Sequence, residues 1–125
     1  MKHLGSLFVA AAICLAPADM ARAAGSEYVA EVVTFTLVEG SDEAAFLSAA
    51  SAMEPFLKST GALVQRSLSK GQDGQWTDYI VWTSMEAAKS AAAAMMEQPE
   101  AGPFMQMINP EGMVMKHDVI KLLQN

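Results

Sequence analysis

Cysteine is all but missing from this sequence: of 125 residues, Cys14 alone carries a thiol. Histidine is nearly as scarce, represented only by His3 and His117. Basic residues number eight against fourteen acidic ones, giving a net charge of −6. Binding to a phosphate backbone runs on clustered Lys and Arg, so this balance argues against a nucleic-acid partner. No Gly-x-Ser-x-Gly elbow occurs, and a Ser–His–acid triad could be centred only on His117, which argues against hydrolysis. Glycine-rich phosphate loops are absent too, because Gly71-Gln72-Asp73-Gly74 is short and reads as a hairpin. The carboxylates sit at helix starts and turns, so no acid–base pair is expected among them. The longest apolar run, Leu4–Ala16, has roughly 13 residues, short of the roughly 20 needed to span a bilayer.

What is present is a compact composition. The chain is 52% apolar and 18% charged, which excludes a disordered tail, and its length suits one domain. Lys2 and His3, the apolar run and Ala21-Arg22-Ala23 form the three parts of a secretory signal. We therefore expect a signal peptide over 1–23, a single domain over 24–125, and a periplasmic or secreted location. Ile13 stands where a lipoprotein signal needs a small residue before Cys14, and no twin-arginine pair is present. Cleavage would leave six basic and thirteen acidic residues, no cysteine and one histidine, His117. Disulfide and thiolate chemistry are then impossible.

Hydrophobic periodicity orders the rest. Tyr28–Val38 alternates like a strand, with Val29, Val33, Phe35 and Leu37 on one face. Ser41 is placed to cap a helix carrying Phe46, Ala49, Ala50, Met53 and Leu57, with a kink or break expected at Pro55 and a stop at Gly61. Ala62–Lys70 reads as a strand with Val64 and Leu68 inward. A hairpin over Gly71–Gln75 leads to the strand Trp76–Trp82. Thr83-Ser84-Met85-Glu86 matches a capping box that opens an alanine-rich helix through Met96. A short helical turn over Phe104–Asn109 and a last strand over Met113–Leu122 complete the domain.

Strand–helix–strand–strand–helix–strand predicts an α+β, ferredoxin-like βαββαβ fold, an antiparallel sheet with both helices on one face. Several strands are apolar on both faces: Tyr79 and Val81 oppose Ile80 and Trp82. A bare apolar sheet face needs a cover, so we expect a homodimer packed through the sheet. No nucleic acid is expected, and no membrane once the signal is removed.

The order of elements, Glu54-Pro55-Phe56 before Gly61-Ala62-Leu63, the Trp76–Trp82 strand and the Pro103-Phe104 turn resemble the dimeric α+β barrel superfamily. Within it the resemblance is to antibiotic-biosynthesis-monooxygenase-type domains, over roughly Tyr28 to Ile120. It implies an apolar pocket between sheet and helices holding an aromatic substrate that itself reduces oxygen, with no cofactor required. Such a pocket needs one or two polar groups to steady a substrate anion, and the residues nominated are Trp82, Arg66, His117 and Tyr79. The haem-degrading members pair an asparagine on the first strand with a tryptophan on the third and a histidine on a helix. Here Thr34 and Thr36 stand on the first strand and His117 on the last.

Other readings stay open. Both tryptophans could be core or interface, Arg66 a structural ion pair across the sheet, and His117 a hydrogen-bonded structural residue. Of eight methionines after the signal, six lie within Met95–Met115. Met113-x-Met115-x-His117 puts two thioethers and an imidazole on one strand face, a soft donor set suited to copper. Methionine also simply fills irregular cores. The alternative functions are thus a soft-metal protein using Met113, Met115 and His117, and an interaction module without a ligand.

Overall fold

A computed structural model describes residues 27–124; the expected signal peptide lies outside them. The elements run β1 (Val29–Phe35), α1 (Glu43–Ser51), α2 (Glu54–Ser59), β2 (Leu63–Lys70), β3 (Trp76–Trp82), α3 (Met85–Met95), α4 (Ala101–Gln106) and β4 (Val114–Val119). The strands form one antiparallel sheet in the order β2-β3-β1-β4. This is the expected ferredoxin-like arrangement, with each helical half of the chain broken into two segments.

Local chemistry explains the helix boundaries, and it moves several of them. The cap of α1 is Asp42, whose Oδ1 accepts from the Ala44 backbone N–H at 3.2 Å; Ser41 is not the cap. A carboxylate at this position satisfies a free N–H and also meets the positive end of the helix dipole. The helix breaks at Ala52 and Met53 and restarts with Pro55 in the first turn of α2, where proline's missing N–H costs nothing. Gly61 then turns the chain at φ +69°, a left-handed conformation that favours glycine. At α3 the cap is Ser84, whose Oγ accepts from the Ala87 backbone N–H at 3.1 Å, so the cap lies one residue later than the capping-box reading of Thr83. The expected turn near Phe104 begins earlier, at Ala101, and the last strand is shorter than Met113–Leu122.

The sheet face turned to the helices carries Val29, Phe35, Trp76, Ile80 and Trp82, all buried. Phe46 of α1, fully buried, is the hub of the core. Its ring meets Phe35 edge-on at 5.8 Å and Trp76 edge-on at 5.1 Å, and stacks on Phe104 of α4 at 5.4 Å. Aromatic pairs in these geometries add about 0.5–1.5 kcal/mol each beyond their buried area. Strand β2 departs from simple alternation. Its pairing with β3 shifts between Leu63 and Gln65, a bulge that turns Val64 outward to 40% exposure while Arg66 and Leu68 keep the inner register. The expectation that Val64 points inward is corrected by that extra residue.

Candidate functional site

The inner face of the sheet is not uniformly apolar. Beside the more exposed Lys70 at the end of β2, one largely buried ionisable side chain from each strand lies on it: Arg66 of β2, Asp78 of β3, Glu31 of β1 and His117 of β4. Period-two geometry puts Glu31 on the face of Val29 and Phe35, and Asp78 between Trp76 and Ile80. Both carboxylates are buried, at 6% and 5% exposure. The expectation that the carboxylates sit at helix starts and turns is corrected here, since these two lie on strands. The signal was available as a charged residue on the apolar face of each of these two strands.

The four groups form two pairs. Arg66 donates from Nε to Asp78 Oδ1 at 3.0 Å and from Nη2 to Oδ2 at 2.7 Å, a bidentate bridge of the strong kind. Its Nη1 also donates to the Ala50 carbonyl at 2.9 Å, and its guanidinium lies over the Phe104 ring at 5.5 Å. Arg66 is thereby committed to protein partners, tying the end of α1 and α4 to the sheet. On the other side, His117 Nε2 lies 2.9 Å from Glu31 Oε2. Burial raises the Glu31 carboxyl above its usual range, and the Asp78 charge adds to this. The His117 hydrogen bond and charge, and the Arg66 charge, partly oppose the rise.

Glu31 and Asp78 face a cavity of about 310 Å³ between the sheet and the helices. Arg66 also lines it, and the rest of its wall is apolar and soft: Phe35, Ile80, Phe104 and Ile108, with six methionines from α3, α4, β4, the segments beside them and the break between α1 and α2. Met115, on the inner face of β4, and Met113, just before that strand, are among them. A larger depression of about 520 Å³ lies outside, between α1, α2 and β2. Exposed Leu47 and Val64 line it, and neither buried carboxylate does.

Of the nominated residues, the structure puts Arg66 in the cavity lining and His117 behind Glu31, and leaves the other two off the wall. Tyr79 lies on the opposite sheet face, because Asp78 and Ile80 on either side of it face inward. Trp82 is on the inner face but is a core residue at 1% exposure, away from the cavity lining, and its buried Nε1 has no hydrogen-bond partner among the described residues. His117 lies behind Glu31 and is not part of the lining, so Met113 and Met115 meet the cavity without the imidazole beside them. Among the described residues no cluster of three or more His, Cys, Asp or Glu could hold a metal ion, and no helix is long and apolar enough to cross a membrane.

No protein-family model matches the chain, and neither does any curated protein sequence. Solved structures do match its fold. The cofactor-independent oxygenase SnoaB from Streptomyces nogalater is 20% identical, with 80% of this chain and 97% of that one covered, at a TM-score of 0.59. A candidate antibiotic biosynthesis monooxygenase from Bordetella bronchiseptica is 14% identical over 77% and 99% of the two chains, at 0.64. Another, from Caulobacter crescentus, is 12% identical over 76% and 91%, at 0.62. The chain therefore has the α+β fold of antibiotic biosynthesis monooxygenase-type proteins. Identities this low speak to the fold, and the chemistry has to be argued from the cavity.

Proposed function

We propose that the protein is an exported, homodimeric, monooxygenase-like protein. In this reading it takes a neutral, flat aromatic ligand bearing a hydroxyl group into the cavity between sheet and helices. The observation that carries it is Glu31, a buried carboxylate of raised pKa facing a cavity whose other polar lining groups, Arg66 and Asp78, are paired with each other. A carboxylate held above its usual range is a better proton acceptor near neutrality than an exposed one. Arg66 is saturated by Asp78 and Ala50, so among the described residues no free cation faces an anionic ligand, which favours a neutral hydrogen-bond donor. Glu31 would take the hydroxyl proton while His117 steadies its far oxygen. The electron-rich ring anion would then supply the electrons that reduce dioxygen, with no cofactor needed. Similarity to a cofactor-independent oxygenase fold supports the same reading.

Oxygen uptake with naphthalene-1,4-diol tests this directly. Uptake above the uncatalysed rate is expected, falling at least about a hundredfold in Glu31→Gln, the lower end of what a positioned proton acceptor contributes. Uptake that survives Glu31→Gln unchanged would overturn the assignment.

A second reading is favoured by the six thioethers lining one cavity, which are soft donors for Cu(I). Native mass spectrometry of protein exported by a periplasm-bearing host separates the two. A copper adduct lost in Met113→Leu/Met115→Leu supports metal binding. Protein without copper, or copper retained by that variant, rejects it.

A further inference from the structure

The cavity methionines divide by exposure. Met53, on the floor, is buried at 1%, whereas Met96, Met115 and Met113 stand at 63%, 46% and 37% on the lip. Met115 comes from β4 and Met113 from the residue just before that strand, two positions away, and Met96 caps the end of α3. An apolar lip could have been built from leucine, which has no reactive atom. Three accessible thioethers around one entrance combine a nucleophilic sulfur with control of that entrance.

We propose that Met96, Met113 and Met115 form an oxidation site at which a hydroperoxide closes the cavity to apolar ligands. A thioether lone pair attacks one peroxide oxygen and the O–O bond breaks. The sulfur keeps that oxygen as a sulfoxide, and water or an alcohol leaves. Sulfur is oxidised by two electrons and the peroxide is reduced by two. The product exchanges a flexible apolar side chain for a polar one, so the lip presents S=O dipoles to any ligand that must shed water to enter. Met53 and the buried core are spared. The proposal rests on the cavity being a ligand pocket.

The test treats the mature protein with graded hydrogen peroxide, maps the sulfoxides by peptide mass spectrometry and titrates the neutral fluorescent probe N-phenyl-1-naphthylamine. The three lip sulfurs should oxidise at least about tenfold faster than Met53, and the probe Kd should rise about fivefold or more. Methionine sulfoxide reductases should restore the affinity, and Met96→Leu/Met113→Leu/Met115→Leu should keep it through the same treatment. Equal oxidation of Met53, or an unchanged Kd with the lip fully oxidised, would overturn the proposal alone. Failure of the untreated protein to bind the probe would overturn the ligand-cavity reading, and the proposal with it. Because reductase rescue is read on the native sequence, the test does not depend on the leucine variant folding.

Discussion

Arg66 shows how much one interior side chain can hold. Its guanidinium joins β2 to Asp78 on β3, to the Ala50 carbonyl on α1 and to the Phe104 ring on α4. Breaking a buried ion pair by deleting one partner leaves the other charge uncompensated, whereas replacing both with apolar groups can be nearly neutral. Asp78→Ala should therefore cost about 3 kcal/mol in denaturant melts, and Arg66→Met/Asp78→Leu much less. Equal losses in the two variants would show that the charges contribute little. These partners were half legible beforehand. Arg66 and His117 stood out as a strand arginine and a lone histidine. Glu31 and Asp78 could have been found by counting in twos from Val29 and Trp76. Which carboxylate meets which cation depends on strand order, and that is settled by packing between distant segments.

Among the elements, the strands were the easier to place, because alternation registers every second residue. Trp76–Trp82 has the expected limits. Helix starts were harder, since Ser41 and Asp42, or Thr83 and Ser84, are equally good caps on paper and only backbone geometry chooses between them. That choice has a measurable consequence. Asp42→Ala should cost about 1 kcal/mol in thermal or denaturant melts, with Ser41→Ala within about 0.5 kcal/mol of the parent protein. The reverse ranking would reassign the cap. The bulge beside Val64 was not legible at all, because an extra residue leaves no mark on a strand's composition. Had it been absent, Arg66 would lie on the outer face, away from Asp78.

At the scale of the whole molecule, the helices of the described residues leave one sheet face without cover. Its centre is apolar: Val32 and Tyr79 are half-exposed there beside Val81, which is already buried, and it is edged by Ser67, Lys116 and Asp118. A second copy covering this face would bury that centre and leave the polar edge at the rim, as stable interfaces do. Val32→Asp/Tyr79→Asp should shift the mass measured by light scattering at micromolar concentration from dimer to monomer. A parent protein already monomeric there would sink the dimer. The row of charges across the inner face has a last consequence, which concerns how the chain finds its fold. Apolar strands tolerate misalignment, since one valine packs much like the next. Slipping any strand by one residue would turn its charged member out to solvent and strand its neighbour's charge among aromatic rings. The four ionisable groups thus act as an alignment gauge, penalising every mispaired sheet that an apolar interior would accept.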